Sequence, residues 1–195
     1  MTKRINIFAG KLKFPSRAFS QVGFSLIEVM VVVSVLGILA AMSLPSYREW
    51  MENTRIRTMT ESVQSGLQKA RIEAIKRNGT VQFVLGANAS WTIGCLPAEV
   101  TADCPAVIEK KEVAEGASST ITLVATPAGA TTVEFSSLGT VRSSPPAVDV
   151  PFTQLDITSS STGDKRPLRL VLGVGGAARS CDPYSGLSAT DPRKC

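Results

Sequence analysis

Gly23–Leu44 reads GFSLIEVMVVVSVLGILAAMSL, and the rest of the chain is arranged around it. From Phe24 to Leu44 there are 21 residues and one charge, Glu28. As an α-helix this length spans about 32 Å, close to one bilayer hydrocarbon core. A soluble helix would carry a polar stripe, and this stretch has none. It therefore reads as a membrane span. Five basic residues precede it (Lys3, Arg4, Lys11, Lys13 and Arg17), with no acid among residues 1–23. Positive charge on that side keeps the N-terminus cytoplasmic and exports the residues C-terminal to the span.

Glu28 is out of place in a simple anchor. A carboxylate deep in hydrocarbon costs about 2.5–3.5 kcal/mol even on insertion scales. A cation meeting it inside the membrane would offset that cost. The nearest candidate is the α-amino group freed by a cut just before Phe24, on this chain or on a neighbouring one.

The run Gly23-Phe24-Ser25-Leu26-Ile27-Glu28, followed by an apolar helix with Gly37 and Pro45, resembles the class III signal of type IV pilins and type II secretion pseudopilins. The resemblance implies a prepilin peptidase that cuts after Gly23 and N-methylates Phe24. Glu28 falls at the family's fifth mature position and Pro45 at its twenty-second. It also implies that Gly37 to Pro45 can locally melt when subunits pack in a filament. A plain signal anchor, or a secretory signal cut near Ala40-Ala41, leaves Glu28 unexplained, and the second needs an unusually long basic n-region.

Residues 1–23 then form a disposable basic leader, and 24–45 the transmembrane and filament-core helix. The formal charge of +5 suggests a nucleic-acid partner until its location is counted. All five excess positives lie in the leader, and the remaining 16 basic and 16 acidic residues cancel. There is no His, which removes the commonest general base and metal ligand.

Pro45 cannot donate to the helical ladder and restricts Leu44, so a kink is expected there. From Ser46 to Asn78 the pattern is amphipathic. Ile56, Met59, Val63, Leu67, Ala70 and Ala74 recur at three- and four-residue spacing, a face suited to packing under a sheet. The stripe is short and Ala-rich for the alternative, a coiled-coil seam. Asn78-Gly79 ends the pattern. The two halves together predict one helix of about 54 residues, about 80 Å long.

After Thr80 the texture becomes Thr, Val, Ser, Gly and Pro in short alternating runs. Thr80–Leu85, Ser90–Ile93, Ala106–Val113, Thr120–Ala125, Thr131–Phe135, Thr140–Arg142 and Leu168–Val174 are strand candidates. Gly86-Ala87-Asn88, Thr126–Gly129 and Ser143–Pro146 are turns between them, and Ser159–Gly163 reads as a loop. Residues 79–195 thus predict an antiparallel β domain of two small sheets packed on the helix, and the whole an α+β, pilin-like fold. The helix-then-sheet order resembles the GspH/FimT family of minor pilins and pseudopilins in particular. Its markers are Ala70–Asn78 (ARIEAIKRN), Trp91–Cys95 (WTIGC) and Cys181-Asp182-Pro183.

The cysteines are Cys95, Cys104, Cys181 and Cys195. The spacings are too wide for a zinc site, and no His helps. An exported domain sees an oxidising compartment, so two local disulfides are expected, Cys95–Cys104 and Cys181–Cys195. A catalytic redox pair would need C-x-x-C. No Ser has a His to activate it. Gly173-Val174-Gly175-Gly176 lacks the Lys and the following helix of a phosphate loop and reads as a hairpin turn. No enzyme, metal or cofactor is expected.

One basic patch remains. Lys165, Arg166, Arg169, Arg179, Arg193 and Lys194 are opposed only by Asp164, Asp182 and Asp191 in the sequence between Gly163 and Cys195. Such a tail could contact DNA phosphates or could simply be a solvated face. Some members of the resembled family are DNA receptors with a G-R-x-R motif before the tail; here the matching residues are Gly176-Ala177-Ala178-Arg179, with the first Arg replaced. The expectation is therefore a non-enzymatic minor pilin. It sits in low copy at the tip or initiation complex of a type IV pilus. Its partners are other minor and major pilins, a prepilin peptidase and an inner-membrane assembly platform. A type II secretion pseudopilin is the close alternative, and a DNA-uptake receptor the distant one.

Overall fold

The computed structural model describes residues 23–112, 120–142 and 150–195. Most of the expected leader (residues 1–22), the end of the third strand candidate at Val113 and the expected turn at 143–146 lie outside the described residues. One long helix, α1 (Leu26–Arg77), carries both the apolar span and the amphipathic stretch, with Pro45 inside it. The chain falls into two units that divide between Ser43 and Leu44.

In the first unit every residue from Gly23 to Ser43 is exposed. The hydroxyls within the helix are satisfied locally. Ser34 Oγ donates to the Met30 carbonyl at 2.8 Å, and Ser43 Oγ to the Ala40 carbonyl at 3.0 Å. Such back-bonding lets a hydroxyl sit in an apolar environment without an outside partner.

In the second unit the amphipathic face is the floor of the core. Ile56, Met59, Val63, Leu67, Ala70 and Ala74 are all buried. The helix ends as its sequence demands. Asn78 takes a left-handed conformation, φ +50°, one that a short polar side chain tolerates. Its N–H reaches the Ile75 carbonyl, and the Gly79 N–H reaches the Ala74 carbonyl, both at 3.2 Å. These are the two bonds of a Schellman cap. Arg77 also pairs with Glu73 at 2.7 Å.

Among the described residues, eight strands form two antiparallel sheets. They are β1 (Val81–Leu85), β2 (Trp91–Cys95), β3 (Glu109–Lys111), β4 (Ile121–Thr126), β5 (Thr132–Phe135), β6 (Gln154–Ser159), β7 (Leu168–Leu172) and β8 (Ala178–Cys181). The first sheet has the order β3-β2-β1-β5 and the second β4-β6-β7-β8. Phe83 lies opposite Ile93 on one side and Val133 on the other. Its ring stands 5.6 Å from Trp91 and 6.4 Å, edge-on, from Phe152. Leu155, Ile157, Leu170 and Leu172 supply the second sheet's buried face in the same cluster. The Trp91 indole N–H is satisfied by Ser62 Oγ on the helix at 3.1 Å.

Several sequence expectations need correction. The candidate Ala106–Val113 becomes a regular strand only at Glu109, although the Ile108 N–H already bonds the Ile93 carbonyl of β2 at 2.8 Å. The residues before it lie irregularly against β2, where the Cys95 N–H bonds the Pro105 carbonyl at 3.0 Å. Gly94 permits that close approach, since a Cβ there would lie 1.8 Å from the Ala106 carbonyl oxygen. Thr140–Arg142 contributes an isolated bridge, Phe135 to Val141, rather than a strand. Leu168–Val174 ends at Leu172, because Gly173–Gly176 makes the β7–β8 hairpin turn. Ser159, expected in a loop, is the last residue of β6 and is buried. Strands β6 and β8 have no counterpart among the sequence candidates.

Candidate assembly segment and basic tail

Gly23, Phe24 and Ser25 precede the first turn of α1 in non-helical conformation. Ser25 caps the helix: its Oγ accepts the Glu28 backbone N–H at 3.3 Å, while its carbonyl takes the Val29 N–H at 3.2 Å. Ser25-Leu26-Ile27-Glu28 has the S-x-x-E spacing of a capping box, a local signal from which the cap could have been predicted. It places Glu28 in the first turn, where the positive end of the helix dipole favours a carboxylate by about 0.3–1 kcal/mol. That falls short of the insertion cost of a charge. Among the described residues the Glu28 carboxylate has no hydrogen bond or ion pair, so the helix start eases its presence without neutralising it.

Gly37 has nothing within 4 Å of where a Cβ would stand. Among the described residues, no packing inside the subunit explains it. Pro45 leaves the Ala41 carbonyl without its ladder donor. The apolar surface here, from Phe24 through Leu36 to Leu44, is uncovered.

The second unit is held to its own part of the helix by a polar clasp. Glu52 Oε2 accepts from Ser159 Oγ at 2.7 Å and from Thr120 Oγ1 at 3.0 Å, and Oε1 pairs with Arg55 at 2.5 Å. Burial pushes this carboxyl's pKa upward, but the Ser159 and Thr120 hydrogen bonds and the Arg55 charge together outweigh it and leave the value lowered. Asn53 Nδ2 donates to the Asp164 carbonyl at 3.4 Å, and its Oδ1 accepts the Arg166 N–H at 2.9 Å.

Both disulfides join neighbours in sequence, Cys95–Cys104 and Cys181–Cys195. The second closes the tail, where Asp182 bridges Lys194 in parallel. The Asp182 N–H donates to the Arg193 carbonyl at 2.6 Å, and the Cys195 N–H to the Asp182 carbonyl at 3.2 Å.

The basic residues of the tail do not act as one patch. Arg169 makes a two-pronged contact with Asp156, at 2.6 and 3.2 Å, and is raised above its ordinary pKa chiefly by that bond. Arg193 does the same with Asp191, at 3.1 and 2.8 Å. The side-chain and backbone hydrogen bonds from Arg193 pull the Asp191 carboxyl down to about 2. Lys194 Nζ is taken up by the Leu187 carbonyl at 3.1 Å. Lys165, Arg166 and Arg193 line one cleft with Asp164, Asp182, Tyr184 and Leu187, and Arg179 is not part of it. Arg179 stands exposed on the edge strand β8. Gly176, the retained glycine of the G-R-x-R match, has a packing reason: its φ is +77°, and a Cβ would lie 2.3 Å from the Gly139 carbonyl oxygen.

A model of the prokaryotic N-terminal methylation motif matches residues 20–44. A family model described as Type II transport protein GspH matches residues 59–176, more than half of the chain. The chain belongs to the GspH family. Among curated relatives of this GspH-family chain, the fimbrial protein EcpB of Eikenella corrodens is 36% identical over 66 residues, 34% of this chain and 40% of that protein. A fimbrial protein of Pseudomonas aeruginosa is 43% identical over 56 residues, 29% of this chain and 36% of that protein. The chain thus spans about two fifths of the length of the curated relatives it matches. Two crystal forms of the type IV minor pilin FimU of Pseudomonas aeruginosa superpose with a TM-score of 0.45. One is 18% identical and covers 64% of this chain and 90% of that one; the other is 19% identical and covers 72% and 97%. As a GspH-family member the chain is a structural subunit of pilin or pseudopilin type, not an enzyme.

Proposed function

We propose that this chain is a minor pilin, cut between Gly23 and Phe24 by a prepilin peptidase and N-methylated at Phe24. It is anchored in the bacterial inner membrane by Phe24–Leu44, with its N-terminus cytoplasmic and its C-terminal unit periplasmic. It joins other minor and major pilins in low copy at the tip or initiation complex of a type IV pilus, with the inner-membrane platform drawing it in. Glu28 meets the N-terminal amine of a neighbouring subunit there, and Gly37 to Pro45 gives the packed helix its freedom to adjust. The observation that carries this reading is the methylation motif at 20–44, coupled to an apolar helix segment with no cover of its own.

The close alternative is a type II secretion pseudopilin, favoured by the description of the matching family. Deleting the chain separates the two: loss of surface pili supports the first, and loss of secreted protein with intact pili supports the second. DNA uptake is not favoured, because Arg169 and Arg193 are already engaged by carboxylates.

Intact-mass analysis of purified protein tests the processing, with sheared-pilus abundance measured in the same cells for wild type and Glu28→Ala. The expected mature chain begins at Phe24 and carries one added methyl group. The Glu28→Ala subunit is expected to insert normally and assemble poorly. A mature N-terminus at Met1 or Ala41, or normal assembly without the carboxylate, overturns the proposal.

A further inference from the structure

Immediately beyond Leu44 the helix presents an aromatic pair with no cover. Tyr47 and Trp50 are 57% and 62% exposed, and their rings stand 5.9 Å apart. The neighbouring residues of the same stretch are engaged. Glu52 and Asn53 hold Ser159, Asp164 and Arg166, and a Cβ at Gly163 would lie 2.9 Å from Glu49 Cγ. The segment 163–166 is therefore fixed beside the turn that carries the two rings. It brings Lys165 and Arg166 to the same end of the unit as Arg48. None of these three cations is in an ion pair among the described residues.

Tyr and Trp concentrate where hydrocarbon meets water, because an apolar ring with one polar atom suits neither phase alone. Basic side chains just outside the hydrocarbon are attracted to anionic lipid headgroups. Tyr47, Arg48 and Trp50 all lie within six residues of the last apolar residue of the span, Leu44.

We propose that Tyr47, Arg48 and Trp50, with Lys165 and Arg166, form a lipid-headgroup contact that seats the C-terminal unit on the bilayer surface before assembly. This rests on the membrane-span reading of Phe24–Leu44. The occupant is the phospholipid headgroup layer, chosen because Tyr47, Arg48 and Trp50 follow the apolar run directly in the sequence and the surface carries positive charge in no ion pair among the described residues. The aromatics set depth and the cations set attraction. Entry into a filament would exchange this lipid contact for contact with neighbouring subunits.

The test uses the full chain reconstituted in vesicles of phosphatidylethanolamine and phosphatidylglycerol, with a fraction of the lipid brominated either just below the headgroup or near the acyl-chain end. Trp91 is buried and bonded to Ser62, so the difference between wild type and Trp50→Phe isolates the Trp50 fluorescence. Trp50→Phe is expected to leave thermal unfolding unchanged, since the residue lies on an uncovered face. The shallow bromines are expected to quench Trp50 about twofold more than the deep ones. Replacing Arg48, Lys165 and Arg166 together by Gln is expected to reduce the shallow quenching. Equal or stronger deep quenching, or no quenching by either lipid while the chain floats with the vesicles, overturns this contact and leaves the membrane span standing. A chain that fails to float with the vesicles overturns the span itself, and the contact with it.

Discussion

Gly37 and Gly66 occupy the same helix and could hardly differ more in surroundings. A methyl group added at Gly37 meets nothing within 4 Å. One added at Gly66 stands 2.8 Å from Phe83 Cε2 and 3.3 Å from Trp91. The first glycine belongs to a region whose side chains are all exposed, the second to a region packed against two sheets. The difference separates two kinds of sequence constraint. In the packed region a residue answers to the subunit's own stability. In the uncovered region it answers to whatever surrounds the subunit, and stability measurements on the subunit should not register it.

The largest contrast is expected from truncating one apolar side chain in each region. Phe83→Ala removes a fully buried ring from the centre of the core and should cost about 3–5 kcal/mol. At about 2–4 °C per kcal/mol for a unit of this size, the midpoint should fall by roughly 10 °C. Leu36→Ala should leave it where it was. Near-UV circular dichroism of the full chain in detergent reads both. A comparable drop for Leu36→Ala would show that the uncovered segment supports the packed unit after all.

Next comes the glycine pair. Gly66→Ala should destabilise by about 1–3 kcal/mol, because the Phe83 and Trp91 rings must shift in a filled core. Gly37→Ala should not lower the midpoint, since Ala is the better helix former by about 0.8–1.0 kcal/mol. If Gly66→Ala unfolds at the wild-type temperature, the helix is less tightly seated on β1 and β2 than the contact distances imply.

The smallest effect concerns pH. Glu52 has a folded-state pKa below its ordinary 4.5. A carboxyl lowered by folding contributes stability that is present above the unfolded value and is lost as pH falls through the folded one. Between about pH 6 and about pH 3 the wild-type midpoint should therefore decline more than that of Glu52→Gln. Parallel curves for wild type and Glu52→Gln would mean that the bonds to Ser159 and Thr120 add nothing to stability.

How far the sequence can be read depends on the range of the forces at each element. The helix is legible because its stripe recurs locally, β1, β2, β4 and β5 because β-branched and aromatic residues alternate in them, and β7 because its leucines do. Strand β6 is hidden by Ser159, which takes a buried position that alternation would give to an apolar residue. Glu52, 107 residues earlier, supplies the acceptor that makes it tolerable there. Strand β8 has no apolar alternation to show; ladder bonds to β7 and the cystine at Cys181 hold it. The N-terminal signal is legible because it is a short contiguous run, and its Ser25 cap shares that locality. The charge of the tail misleads for a long-range reason: Asp156 and Arg169 face each other across β6 and β7. Cross-strand register is not visible until the strands are paired.

The cystine pattern has a bearing on biogenesis. Four cysteines can pair in three ways, and here each bonds the next along the chain, 9 and 14 residues away. Any route that delivers the residues beyond the span in chain order presents Cys104 soon after Cys95, and much later Cys195 soon after Cys181. Oxidation in order of arrival then yields the native set directly. Maturation of this chain calls for an oxidant but not for a shuffling enzyme.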